Sequence, residues 1–252
     1  MEKRICAISD IHGHLPEIPE CDILCICGDI IPLYAQREFA QSIAWLSGPF
    51  QKWALEAPCK HVVMVWGNHD FIGERLDKYG CKDPNEEYQW LLGMNPKQVC
   101  EFLFKCDEDN KIHLLLDTEE VIDGIKFYGT PWCPSLRNWA FYGDSETLKK
   151  KFDQIPSDFD VLLTHCPPKY GQQGIVLQTN WNFGKDFGCE ELQEALVQKT
   201  MLRSDVCWVL SGHIHSGNHN WETRGPLVYR NVSIMDEDYE PTYSPLSFNI
   251  NK

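Results

Sequence analysis

Trp66-Gly67-Asn68-His69-Asp70 is the stretch that decides the fold. It follows the β-branched apolar run His61-Val62-Val63-Met64-Val65 and precedes a helical pattern at 73–78. An apolar run this short, bounded by a glycine, reads as a buried strand of a parallel sheet. The glycine lets the chain turn sharply as it leaves the strand. Ligands of open α/β sheets sit at the carboxyl ends of strands, so Asn68, His69 and Asp70 arrive where a site is expected. Four other runs share this grammar. Residues 4–9 end in Asp10-Ile11-His12, 21–27 in Gly28-Asp29, 160–164 in His165, and 206–211 in Gly212-His213-Ile214-His215. Five strand-like runs therefore each deliver Asp, Asn or His at a carboxyl end.

The chain has 252 residues, 43% of them hydrophobic, which fits a single α/β domain over 1–252. Its net charge of −14, with no run of Lys or Arg longer than Lys149-Lys150-Lys151, argues against an extended nucleic-acid surface, since phosphate neutralisation needs clustered cations. A small phosphorylated or nucleotide substrate stays compatible, because bound metal ions reverse the local charge. The first apolar run is too short for a signal peptide and no stretch has the length of a membrane span, so a cytoplasmic protein is expected, with no membrane partner. The 12 cysteines include no CxxC pair. Many lie in or beside strand runs, where Cys behaves as a small hydrophobe, and reduced structural thiols are expected.

Along the chain, apolar positions Phe39, Ile43, Leu46, Phe50 and Trp53 fall at helical spacing within 36–57. Pro49 is expected to break or kink that helix. Strand, helix and the returning strand at 61–66 make a βαβ unit. Short helices are expected at 85–92 and 96–105. Strands at 112–116 and 125–128, joined through Asp123-Gly124, read as a hairpin that begins a second sheet. Residues 129–144 form a long loop rich in Pro, Trp and Gly, and 171–188 a glycine-bearing loop that could close as a lid. Helices are expected at 147–152 and 189–202, a closing strand at 227–234, and turns from there to Lys252. The order suggests two packed sheets with helices outside.

Carboxylate, imidazole and amide oxygen at strand ends suit divalent ions such as Mn, Fe, Zn, Ni or Co, whereas thiolate-rich sites take softer ions. Asp10 and His12, two apart on an extended end, can face one ion, and Asp29 is placed to bridge two. Two ions about 3.5–4 Å apart clamp a phosphoryl group and generate hydroxide at neutral pH. The motif set Asp10-x-His12, Gly28-Asp29, Gly67-Asn68-His69-Asp70, His165 and Gly212-His213-x-His215, in this order over residues 4–235, resembles that of the calcineurin-like metallophosphoesterases. Gly129-Thr130-Pro131-Trp132, Trp139-Ala140-Phe141, Thr164-His165-Cys166-Pro167-Pro168 and Asn231-Val232-Ser233 look most like the class III phosphodiesterase-like branch of metallophosphoesterase-domain-containing proteins.

The resemblance implies an α/β fold, a four-layer α/β/β/α sandwich of two mixed β-sheets flanked by helices. It implies that Asp10, His12, Asp29 and His215 hold one divalent ion and that Asp29, Asn68, His165 and His213 hold a second, with Mn²⁺ favoured over Fe, Zn²⁺ or Ni²⁺. His69 resembles the family's catalytic histidine, and Asp70 would orient it by accepting its other ring N–H. A bridging hydroxide would attack phosphorus in line, hydrolysing phosphodiesters and also phosphomonoesters. Trp132, Trp139, Tyr170 and Trp181 could stack on a base or aryl group, or merely pack their loops.

Taken singly, Asp10 and Asp29 read as turn residues, Asn68-His69 as a helix cap and His165 as structural; together they would need five coincidences. His14, Lys169 and Tyr170 are expected as exposed loop residues, and His61, His113 and His219 as structural. A Ser/Thr protein phosphatase is disfavoured, because the GDxVDRG and GNHE motifs of that branch read here as Gly28-Asp29-Ile30-Ile31-Pro32-Leu33-Tyr34 and GNHD. A catalytically weak metal-binding scaffold of the same fold is the other alternative, and the complete ligand set argues against it.

Overall fold

Two mixed sheets pack face to face, and the alternation along their strands shows why. In β1 (Glu2–Ile8), Ile5 and Ala7 face the opposite sheet while Cys6 and Ile8 face outward, and all four are buried. A strand covered on both faces needs this uninterrupted apolar text. The computed structural model describes residues 2–79, 110–134, 137–178 and 181–252. The helices expected at 85–92 and 96–105 lie outside the described residues.

The first sheet contains β1, β2 (Ile23–Cys27), β3 (His61–Val65), β4 (Ile112–Leu114) and β11 (Leu246–Asn251), in the order β11-β1-β2-β3-β4. Strands β1 to β4 are parallel, and β11 runs antiparallel to β1, with Glu2 opposite Asn251. The second sheet contains β5 (Thr118–Ile122), β6 (Ile125–Thr130), β7 (Val161–Thr164), β8 (Cys207–Ser211), β9 (Glu222–Arg224) and β10 (Leu227–Asn231), in the order β5-β6-β7-β8-β10-β9. Its β6, β7, β8 and β10 are parallel, edged by antiparallel β5 and β9. Ile5, Ala7, Val63 and Val65 of the first sheet meet Phe127, Val161, Leu163 and Leu210 of the second in one buried cluster. Outward-facing strand residues join a second cluster with Leu46 and Phe50 beyond the first sheet, and with Leu148, Phe152, Leu192 and Leu196 beyond the second. The result is the four-layer α/β/β/α sandwich.

Several elements differ from the sequence reading. The 36–57 helix is divided into α1 (Phe39–Trp45), a π-helical turn (Leu46–Phe50) and α2 (Gln51–Glu56). Pro49, which has no N–H to donate, sits inside the wider turn. The Asp123-Gly124 hairpin joins β5 and β6. The strand at 112–114, expected to be its partner, instead pairs parallel with β3 in the first sheet. Strand β11, in the tail expected to be turns, alternates exposed positions with the partly buried Leu246 and Phe248 and the buried Ile250. The remaining helices are α3 (Phe71–Tyr79), α4 (Ser145–Phe152), capped by Asp144 accepting from Thr147 N–H, and α5 (Glu190–Thr200). Among the described residues no helix is long and apolar enough to cross a membrane. The nine described cysteines are free thiols, and eight of them are buried.

Candidate functional site

The carboxyl ends of β1, β2, β3, β7 and β8 converge, and the loops leaving them hold their ligands in an unusual backbone conformation. Asp10, His12, Asp29 and His213 all have positive φ, at 54°, 41°, 53° and 67°. Such turns cost a non-glycine residue about 1–3 kcal/mol and persist only where the surroundings enforce them. The glycines of the motifs permit the close approach. A Cβ on Gly67 would collide with the Asp29 carboxylate, and one on Gly212 with Asp10 and Ser9.

These turns bring the predicted ligands together. Asp10, His12 and His215 present donor atoms within 4.8 Å of one another, as do Asp10, Asp29 and His165, and also His12, Asp29 and His69. Asp29 Oδ2 lies 3.8 Å from His12 Nε2 and 3.3 Å from His165 Nε2. Its Oδ1 accepts the His69 backbone N–H at 2.7 Å, so one oxygen anchors a loop and the other faces the cluster. Asn68 Oδ1 sits 2.8 Å from His165 Nε2. The rings of His165 and His213 meet edge-on with centroids 5.1 Å apart. Both Asp10 oxygens take the His213 backbone N–H at 3.0 Å, which ties the first motif to the last.

The donor set fits divalent ions. His165 Nδ1 faces the Cys27 carbonyl at 2.8 Å, and His215 Nδ1 the Asp236 carbonyl at 2.7 Å. A carbonyl only accepts, so each ring carries a proton on Nδ1, which leaves Nε2 as the atom that faces the cluster and would ligate an ion. This is the usual arrangement behind a ligating histidine. Two fully buried carboxylates face four imidazoles there. Burial alone would raise Asp10, but the hydrogen bond and charge of His215 hold it well below the ordinary carboxylate value. Asp29 is likewise held low against burial by His165, His69 and His12. Burial depresses His12 and His213 to about 3, so both stay neutral and able to ligate.

His69 is buried beside this cluster, with Nε2 3.9 Å from Asp29 Oδ2. Its Nδ1 lies 2.6 Å from Gln36 Oε1. The expectation that Asp70 accepts this ring N–H is therefore corrected. Asp70 Oδ1 accepts the backbone N–H groups of Ile30 and Ile31, each at 2.9 Å, and Oδ2 accepts that of Gly67 at 2.8 Å. The carboxylate staples the loop after Asp29 to the loop before Asn68. It points into the backbone, away from the next side chain, and so leaves the ring to a residue 33 positions upstream.

Two aromatic walls flank His69. The Trp139 ring is 4.3 Å from it, braced by the Arg37 guanidinium 5.2 Å from the indole centroid. Tyr239 meets His12 at 4.9 Å, His215 at 5.1 Å and His69 at 6.1 Å. The sequence reading missed Tyr239, which falls in a turn-rich segment with no motif. Of the four aromatics proposed for stacking, only Trp139 reaches the site. Trp132 is buried and donates to Asp117 Oδ2, Tyr170 packs on Tyr229 and donates to Thr223 O, and Trp181 is exposed under Lys185. His219, expected as structural, stacks on Tyr243 and contacts the His215 carbonyl at 2.8 Å.

A family description of calcineurin-like phosphoesterases matches residues 3–217. The chain belongs to that family. It is 28% identical to a UPF0046 protein of Caenorhabditis elegans, over 98% of this chain and 80% of that one. A second UPF0046 protein of C. elegans is 34% identical over 98% of this chain and 60% of its own length. Human metallophosphoesterase domain-containing protein 1 is 25% identical over 98% and 71%. Among solved structures, phosphopantetheinyl hydrolase from Mycobacterium tuberculosis superposes with a TM-score of 0.50 over 94% of this chain and 91% of that one, at 15% identity, a likeness of fold. Family and donor set together support a metal-dependent phosphoesterase.

Proposed function

We propose that this phosphoesterase holds two divalent ions and hydrolyses phosphodiesters, with phosphomonoesters as further substrates. The observation that carries the reading is the position of Asp29 Oδ2 between His12 Nε2 and His165 Nε2. Asp10, His12 and His215 would complete one ion's ligands with Asp29; Asn68, His165 and His213 would complete the other's. Ions bound there polarise phosphoryl oxygens and activate water at neutral pH.

The chain's own residues supply the rest. His69 in its charged form donates Nδ1–H to Gln36 and keeps Nε2–H for the leaving oxygen. Burial lowers its pKa, which makes the charged ring a readier proton donor. Trp139 and Tyr239 bound the approach with apolar faces suited to a small aryl or nucleotide group. Arg37 is stacked on Phe71 and donates to the Asn138 carbonyl, so it serves the wall rather than gripping a dianionic phosphate. A diester carries one charge fewer and needs less cationic help. Steady-state hydrolysis of bis-aryl and mono-aryl phosphate esters and of cyclic nucleotides, at saturating Mn²⁺, tests the reading. Diester turnover above the metal-only rate is expected. Monoester turnover alone would remove the diester assignment.

A further inference from the structure

We propose that Cys133 is a thiolate donor at the ion position of His165 and His213, and that this position prefers a borderline-soft ion such as zinc over manganese. The proposal rests on the metal-binding reading above and extends it by a residue outside the motif set. Cys133 Sγ, a His165 ring nitrogen and a His213 ring nitrogen lie within 4.8 Å of one another. At a tetrahedral angle an ion bonded to sulfur at about 2.3 Å and to nitrogen at about 2.1 Å holds the two about 3.6 Å apart. Drawing the donors in from separations of up to 4.8 Å therefore takes side-chain adjustment of up to about an ångström.

Position and charge both favour coordination. Cys133 follows β6 and is fully buried. Its N–H donates to Phe141 O at 3.0 Å and its carbonyl accepts from Gly143 N–H at 3.1 Å, so the backbone fixes where the thiol points. The thiol's own hydrogen bond, to Pro131 O at 3.6 Å, is long and easily given up. The two ion positions differ in charge. The first has Asp10 and a share of Asp29. The second has a share of Asp29 and otherwise only neutral imidazoles and an amide. Among the described residues, Cys133 is the one further donor grouped with both His165 and His213. On coordination the S–H bond breaks, a sulfur–metal bond forms, and the proton passes to solvent, so the ion gains the missing charge. Thiolate with imidazole selects zinc-like ions, whereas carboxylate and water suit manganese. The preference for Mn²⁺ expected from the resemblance then holds for the first position alone.

Cobalt substitution of the intact protein tests this without turnover. Wild-type protein loaded with Co²⁺ is expected to show a near-ultraviolet sulfur-to-cobalt charge-transfer band. The band should vanish in Cys133→Ser and persist in Cys166→Ser, the control for the neighbouring thiol. Zinc affinity should fall by roughly tenfold or more in Cys133→Ser, with manganese affinity in its original order of magnitude. X-ray absorption of the wild-type zinc form should show a sulfur neighbour at about 2.3 Å, which decides the matter should Cys133→Ser fail to fold. A wild-type protein with no sulfur neighbour, or a band that survives in Cys133→Ser, overturns the proposal. It would leave the phosphoesterase reading standing if diesters are still cleaved. A protein that takes up neither cobalt nor zinc overturns both.

Discussion

Gln36 Oε1 lies 2.6 Å from His69 Nδ1. A neutral amide thus fixes the ring of the candidate catalytic histidine, in a role that the adjacent Asp70 was expected to fill. Gln36→Ala should leave bound metal unchanged and lower kcat by roughly 10- to 100-fold, because the ring loses its orientation. Gln36→Glu keeps an acceptor at the same reach and should recover much of that loss. Equal loss in both variants, or a loss of metal, would argue that the side chain only packs the loop.

Removing the candidate proton donor itself should cost more. His69→Ala is expected to retain its metal content and lose about 10²- to 10⁴-fold in kcat. Metal analysis beside steady-state kinetics separates the two effects. Depleted metal in this variant would make His69 a ligand instead.

Asp29→Asn should weaken both ion positions at once. The substitution keeps the shape but withdraws the charge shared between His12 and His165. Elemental analysis after dialysis is expected to find two ions per chain in the wild type and a deficit at both positions in the variant. Full retention of either ion would show that Asp29 does not bridge.

Trp139→Ala should raise KM for a bis-aryl phosphate more than for inorganic-like small esters, since the ring forms the wall beside His69. An unchanged KM with lower kcat would instead assign the indole to holding His69 in place.

Asp123 provides a pH test of the fold. Lys3 Nζ at 2.7 Å and Lys60 Nζ at 3.0 Å hold its carboxyl down to about 2, from an ordinary 3.8. Because the folded value is the lower one, the stabilisation is present at neutral pH. It is lost as pH falls from about 4 through about 2. Asp123→Asn keeps a residue that tolerates the turn's positive φ of 51°. It should lower Tm slightly at pH 7, as expected for a partly exposed pair, and the difference should vanish below about pH 2. A deficit that persists at low pH would place the effect in the turn.

The convergence at the site was legible because strand-end chemistry is local. Each of Asp10, Asp29, Asn68, His165 and His213 directly follows an apolar run or its glycine; the ends of β1, β2 and β3 share one edge of the first sheet, and those of β7 and β8 one edge of the second. Contacts made across the fold left no local trace. Gln36, Tyr239 and Cys133 belong to no periodic or motif pattern, and only the tertiary structure brings them to the histidines. Asp70 was misread for a related reason. Neighbours in sequence at the start of a helix point in different directions, and its carboxylate is taken by backbone N–H groups of another loop. Strand β11 escaped notice because its one partner, β1, lies at the far end of the sequence.

The left-handed turns at Asp10, His12, Asp29 and His213 are enforced by Asp70 and by the crossed hydrogen bonds between loops. Protein groups alone make these bonds. The ligand cage should therefore behave like a preformed macrocycle rather than a clasp that folds around its cargo. Loading should leave the far-ultraviolet circular dichroism unchanged, and a chelator that strips the ions should yield a protein that takes them up again without a refolding lag. An ion much larger than the cage should bind more weakly, because the backbone that carries its ligands is tied loop to loop.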